Sequence, residues 1–178
     1  MTIRFATPTD AADLLAIYTP YVLNTIISFE YVVPDVDEFA GRIRTIQQQL
    51  PYVVAELDGR VLGYAYATRH RDRTAYQWSV DTSVYVHPDG YRRSIARGLY
   101  NRLFDLLRRQ GYYNAYAGIT LPNLPSEQFH RRMGFDPIGV YLGVGYKMGG
   151  WHDIAWFRLT LQPHQFNPVP PLPIGQLH

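Results

Sequence analysis

Thr82-Ser83-Val84-Tyr85-Val86, His87-Pro88-Asp89-Gly90, Tyr91-Arg92-Arg93-Ser94-Ile95-Ala96-Arg97-Gly98, and then Leu99, Leu103, Leu106 and Leu107 at helical spacing: the reading of this stretch decides the fold. The first five residues are β-branched and aromatic and predict a strand. His-Pro-Asp-Gly breaks it, and the leucine register predicts an amphipathic helix running to Gln110. The first backbone N–H groups of a helix have no partner within it, and the peptide dipoles make that end positive, so the turn can hold a phosphate. Ser94, Ala96 and Gly98 are small enough to let a ligand approach the backbone, and Arg92, Arg93 and Arg97 add charge. Many α/β proteins carry such a turn and bind nothing there, so the flanking sequence has to decide.

Upstream, Tyr52–Leu57 and Val61–Ala67 flank Asp58-Gly59, a strong signal for two antiparallel strands joined by a tight turn. Tyr76–Val86 reads as the next strand. Nearer the N-terminus, Ile3–Ala6 is a short strand. Thr7-Pro8-Thr9-Asp10 starts a helix, with Thr7 as cap and Asp10 reaching back, and apolar positions continue through Leu14, Leu15, Ile17, Tyr18 and Tyr21. Thr25–Glu30 reads as extended, and Pro34-Asp35 with Glu38 starts a second helix ending near Gln49.

Downstream, Gly111 supplies a left-handed cap, and Asn114–Ile119 is a strand. Because a helix connects it to the preceding strand, the two should be parallel neighbours. Ser126–Met133 is a short helix stopped by Gly134, and Val140-Tyr141 with Asp153–Leu161 forms a closing antiparallel pair around a Gly-rich loop, Gly143–Gly150. The order implies a mixed α+β domain over residues 1–162. The Pro-rich tail, 163–178, is expected to be extended or disordered.

The 178 residues, 47% hydrophobic, can bury one ordinary core. A net charge of +2 argues against a nucleic-acid partner, although Arg69-His70-Arg71-Asp72-Arg73 is locally basic. The chain has no cysteine, which excludes disulfides, thiolate metal sites and a cysteine nucleophile and accords with a reducing cytoplasm. With no leader-like start and no long apolar run, a cytoplasmic protein without a membrane partner is expected. The 15 tyrosines point to a pocket or interface rich in amphipathic rings.

The same order, with Val84-Tyr85-Val86-His87-Pro88 before the turn and Asn123 followed by Ser126, Phe129, His130 and Met133-Gly134-Phe135, resembles the GCN5-related N-acetyltransferase (GNAT) superfamily. Ala75-Tyr76-Gln77-Trp78, Gly118–Asn123 and, above all, Gly145-Tyr146-Lys147-Met148-Gly149-Gly150-Trp151-His152-Asp153 narrow the resemblance to phosphinothricin and methionine sulfoximine acetyltransferases. It implies a layered fold: a twisted, mostly antiparallel sheet with one parallel pair and helices on both faces. It also implies transfer of an acetyl group from acetyl-CoA, with no metal, to the α-amino group of a small amino acid or analogue. A homodimer is implied as well, with Tyr146, Lys147 and Trp151 near the partner.

By the resemblance, the backbone of Val84, Tyr85 and Val86 meets the pantetheine arm, the loop Arg92, Arg93, Ser94, Ile95, Ala96, Arg97 and Gly98 cradles the pyrophosphate, and Asn123 touches the cofactor. The sequence departs from its relatives at Ser94, where glycine is usual, at Asp81, where they carry a glutamate assigned as general base, and at Met148, where histidine is common. Acetyl transfer requires the ammonium to lose a proton, which Asp81 can accept, and His130 stands where the superfamily places the acid that protonates the thiolate. Arg71 and Arg73 alternate along an extended segment, so they fall on the same side of the strand and can clamp a substrate carboxylate. Phe29, Glu30 and Tyr76 complete the expected acceptor pocket. Two other functions fit parts of the sequence: a degenerate member that senses acyl-CoA or an amino acid without turnover, and a nucleic-acid module built on Arg69–Arg73.

Overall fold

In the computed structural model, which describes residues 1–91 and 93–177, the chain runs β1 (Thr2–Phe5), α1 (Ala11–Asn24), α2 (Val36–Ile46), β2 (Tyr52–Leu57), β3 (Arg60–Arg69), β4 (Ser79–Val86), α3 (Ile95–Gln110), β5 (Asn114–Thr120), α4 (Leu124–Arg132), β6 (Asp136–Lys147) and β7 (Gly150–Thr160). The strands form one sheet in the order β1-β2-β3-β4-β5-β7-β6. Among the described residues β4 and β5 are the one parallel pair. Asp58 and Gly59 turn β2 into β3 with φ of 51° and 76°, the left-handed pair that a two-residue hairpin needs. Gly111 ends α3 with φ 98°.

The sheet separates two cores. On one face α3 inserts Leu99, Leu103, Leu106 and Leu107, each 1% exposed or less, against Ala65, Val80 and Ala115. On the other, α1 and α2 bury Leu14, Ile17, Phe39 and Ile43 against Val54 and Tyr64. Burying each large aliphatic side chain contributes roughly 1.5–3 kcal/mol, so both helical layers are held by the apolar periodicity that the sequence displays. Asp35 caps α2, accepting from the Glu38 N–H at 2.8 Å.

Several sequence expectations change. Thr25–Glu30 is not a strand but a bent loop, because Ser28 and Glu30 are held by the Tyr18 hydroxyl at 2.7 and 3.1 Å. Strand β4 begins at Ser79; Thr74–Tyr76 is a 3₁₀ turn. Most of the expected Gly-rich loop lies inside a long β6–β7 hairpin that turns at Met148-Gly149, φ 51° and 81°, with an irregularity between Tyr141 and Gly145. The tail is irregular apart from a 3₁₀ turn at Ile174–Gln176 and is strapped to the domain: Trp78 Nε1 donates to the Val169 carbonyl at 2.8 Å, Gln110 Nε2 to that of Leu172 at 2.7 Å, and the Ile174 N–H to that of Gln49 at 3.0 Å. Among the described residues no helix is long and apolar enough to cross a membrane.

Candidate active site

The parallel ladder between β4 and β5 is short. Ser79, Val80 and Asp81 pair with Asn114, Ala115 and Tyr116; beyond them β4 continues to Val86 and β5 to Thr120 without further pairing. Thr82 Oγ1 donates to the Tyr116 carbonyl at 3.1 Å and marks where the strands part. On its other side β4 stays paired with β3, and the His87 N–H donates to the Leu62 carbonyl at 2.9 Å. Antiparallel bonding alternates, so the N–H and C=O groups of Val84 and Val86 turn toward the gap beside β5, while those of Tyr85 face β3. The gap thus presents backbone donors and acceptors of the kind an amide-bearing arm can pair with. The Val86 carbonyl accepts from the Tyr21 hydroxyl at 2.9 Å.

α3 starts beside this gap. Ser94 precedes it at φ 58° and ψ 17°, left-handed geometry that costs a non-glycine residue about 1–2 kcal/mol, and its side chain makes no capping bond. The glycine departure noted in the sequence is therefore a real backbone demand. Ile95 is buried in the core and offers only its backbone, whereas Arg93 and Arg97 are exposed. Arg92 lies outside the described residues. Gly98 serves packing rather than ligand approach: a Cβ there would meet Ile3 Cδ1 at 3.0 Å and Met1 Cε at 3.1 Å. Asn123 caps α4 by accepting from the Ser126 N–H at 3.2 Å.

Asp81 sits at the apex of the divergence, on the face that carries α1 and α2. Its Oδ1 lies 2.6 Å from His70 Nδ1. A carboxylate can only accept here, so Nδ1 carries the proton. Burial pushes the Asp81 carboxyl up, opposed by the bond to His70 and by the charges of His70 and Arg71. The sequence showed His70 only as part of a basic cluster; the β3–β4 register that brings it to Asp81 is its one sequence signal. The His70 ring stacks on Tyr116 at 4.4 Å and meets Tyr76 and Trp156 edge-on. Among the described residues Trp156 Nε1, buried there, has no hydrogen-bond partner, and Gly118 seats the indole, since a Cβ would lie 3.3 Å from it.

On the same face, next to Thr68, the cross-strand partner of Asp81, lies a cleft of about 480 Å³ lined by Tyr18, Phe39, Arg42, Tyr52, Tyr64 and Tyr66 among others. Tyr52, Tyr64 and Tyr66 stack at 4.9–6.2 Å. Arg42 is held by both Glu30 oxygens, at 2.6 and 3.1 Å, and by Glu38 at 2.6 Å. Burial pushes the Tyr18 hydroxyl up to about 12.

Two expectations need correction. Arg71 and Arg73 are exposed in the loop beyond β3 and not on a strand, so strand alternation does not align them; with Tyr76 they line a second depression of about 260 Å³. His130 is closed into the core, 5% exposed, among Tyr100, Phe135 and Phe157. Its Nδ1 donates to the Ser126 carbonyl at 2.8 Å, and its Nε2 accepts from the Tyr100 hydroxyl at 3.1 Å. Burial holds it below the usual histidine range. Both nitrogens are occupied, one by the Ser126 carbonyl of α4 and the other by the Tyr100 hydroxyl of α3. Phe29 is half-buried beneath the β6–β7 hairpin, where Gly145 makes room for its ring.

Residues 3–156 match the acetyltransferase (GNAT) domain family. The chain is 33% identical over 172 residues to phosphinothricin N-acetyltransferase of Streptomyces viridochromogenes, covering 97% of this chain and 92% of that protein. It is 34% identical to an L-methionine sulfoximine/L-methionine sulfone acetyltransferase of Salmonella typhimurium, covering 92% and 96%. The crystal structure of a phosphinothricin acetyltransferase from Sinorhizobium meliloti in complex with acetyl-CoA superposes with a TM-score of 0.90 at 33% identity, over 96% of this chain and 94% of that one.

Proposed function

The chain belongs to the acetyltransferase (GNAT) domain family and is an N-acetyltransferase, and from that premise we propose that it transfers an acetyl group from acetyl-CoA to the α-amino group of a small amino acid or analogue. The observation that carries this reading is the parting of β4 and β5 just beyond Asp81 and Tyr116. In this reading the backbone groups of Val84 and Val86 and the start of α3 form the donor side, and Asp81 with the tyrosine-lined cleft forms the acceptor side.

Acetyl-CoA would supply the activated acetyl group. The first N–H groups of α3 at Ile95, Ala96 and Arg97, for which no partner is found among the described residues, suit its diphosphate, with the charges of Arg93 and Arg97. The gap-facing groups of Val84 and Val86 suit its amides, and the Val86 N–H can polarise a carbonyl held beside it. On the acceptor side, the exposed guanidinium groups of Arg71 and Arg73 can take a carboxylate, and the carboxylate of Asp81 serves removal of the ammonium proton. Glu30, fixed by Arg42 and Tyr18, and Phe29 shape the wall, and Tyr76 adds an aromatic edge. His130 keeps α4 in place and transfers no proton.

The acceptor's side chain belongs in the tyrosine cleft. Among the described residues its one lining cation, Arg42, is already matched by two carboxylates, so an uncharged side chain is favoured over an anionic one. We also read the exposed β6–β7 hairpin, with Leu142 80% and Trp151 70% exposed, as the contact between two copies of the chain in the cytoplasm. Mass spectrometry of an amino-acid panel incubated with acetyl-CoA and the protein tests the main reading. One N-acetylated class is expected; acetyl-CoA binding with no product from any amine would replace the enzyme by a sensor.

A further inference from the structure

We infer that His70, and not Asp81 itself, receives the proton from the acceptor ammonium, with Asp81 acting as the positioning carboxylate; this rests on the transferase reading above. The geometry is specific. His70 Nδ1–H donates to Asp81 Oδ1 at 2.6 Å, so Nε2 is the unprotonated ring nitrogen, and among the described residues it has no hydrogen-bond partner. Stacking on Tyr116 and edge contacts with Tyr76 and Trp156 fix the ring plane, which a bond to Asp81 alone would leave free to swing. The side chain remains 16% exposed, enough to exchange a proton.

The pair lies where β4 and β5 separate, since Asp81 is the last residue of β4 paired with β5. An aspartate side chain is short, and the imidazole bonded to it extends the reach of the carboxylate from β4. An imidazole with a free ring nitrogen can take a proton from an ammonium group held against it. The charged and titratable groups facing it are Asp81 from β4, Arg71 and Tyr76 from the following loop, and Tyr116 from β5.

The step balances. The ammonium gives one proton to His70 Nε2; the freed amine forms the C–N bond as the thioester C–S bond breaks; the second amine proton ends on the departing sulfur. His70 then returns its proton to solvent.

Two measurements test the assignment. The first is the pH profile of kcat/KM for the wild type, His70→Asn and Asp81→Asn; asparagine at 70 keeps a donor near the Nδ1 position but has no basic nitrogen. The second is nitrogen NMR of the His70 ring in the folded wild-type protein, which reads the tautomer without requiring turnover. The expected result is an Nδ1–H tautomer, a rising limb that coincides with protonation of Nε2, and a fall of at least a hundredfold with loss of that limb in His70→Asn. Asp81→Asn should shift the ring to the other tautomer. An Nε2–H tautomer in the wild type, or a limb that survives His70→Asn with more than a tenth of the activity, would overturn the inference and leave the transferase standing. Absence of turnover with any amine would overturn both.

Discussion

The Lys147 ammonium group donates to the Ser28 carbonyl at 2.5 Å, and it makes a second bond, at 2.7 Å, to the carbonyl of Val22 in the last turn of α1. The side chain is 4% exposed, and burial lowers its pKa below the usual lysine range. The tip of the β6–β7 hairpin is thereby fastened to the loop that carries Phe29 and Glu30. Tyr31 reinforces it by donating to the Tyr146 carbonyl, as does His152 by bonding to the Lys147 carbonyl at 2.9 Å. Lys147→Met should cost about 1–3 kcal/mol, because two buried carbonyls lose their donor. Denaturant unfolding reads the loss, and the KM for the acceptor should rise more than that for acetyl-CoA.

Gly145 holds the same junction by having no side chain. A Cβ there would come within 2.1 Å of the Phe29 ring, so Gly145→Ala must displace either the hairpin or the ring. The expected outcome is at least a tenfold rise in acceptor KM with the acetyl-CoA KM within about twofold, measured by steady-state kinetics. Equal rises in both would show that the junction does not belong to the acceptor side.

Much of this architecture is legible before any coordinates. Asp58-Gly59 announces a hairpin because both residues tolerate positive φ, and the leucine register of α3 and the helix between β4 and β5 impose the parallel pair. The rest depends on partners distant in sequence. Thr25–Glu30 has a strand-like composition, yet Tyr18 claims two of its side chains. The tail lacks periodicity, yet Trp78, Gln49 and Gln110 offer it partners. His70 is concealed in a run of arginines, and its role appears only when the β3–β4 register brings Asp81 to it. His130 has the position of an acid in the sequence pattern, but the Ser126 carbonyl and the Tyr100 hydroxyl close both of its nitrogens.

That closure makes a pH prediction. The folded value of His130 is lowered from 6.5 by burial, so below about 6.5 the unfolded chain binds the proton first. Its contribution to stability is therefore complete above 6.5 and is lost as the pH falls from there through the folded value. In urea unfolding between pH 7 and 5, His130→Gln should show a smaller slope of stability with pH than the wild type. Its kcat/KM should stay within about tenfold of wild type, below the ~10²–10⁴ that a proton-transferring group contributes.

Ser94 supplies a stability test on the donor side. Ser94→Gly removes the cost of the left-handed conformation but adds chain entropy to the unfolded state, for a net gain of up to about 1 kcal/mol. The KM for acetyl-CoA should fall or stay level. A rise would mean that the serine hydroxyl itself holds the diphosphate.

The cleft can be narrowed without strain at Gly41, where a Cβ would meet only Arg44 Nη2, at 3.9 Å. At about 480 Å³ the cleft exceeds the roughly 150 Å³ in which an apolar cavity takes up benzene, so it has room for an aromatic side chain. Gly41→Leu should lower the ratio of kcat/KM for phenylalanine to that for alanine at least tenfold, and the wild type should favour phenylalanine over anionic phosphinothricin. An unchanged ratio would place the acceptor side chain elsewhere.

The most direct measurement is release of free thiol from acetyl-CoA at neutral pH with methionine sulfoximine, phosphinothricin and natural amino acids, in the wild type beside Asp81→Asn. Turnover with one acceptor class, falling at least a hundredfold in the variant, is the predicted result and ties the transfer to the point where β4 and β5 part. Turnover that is unchanged in Asp81→Asn would contradict that site, and no turnover with any amine would contradict the transfer itself.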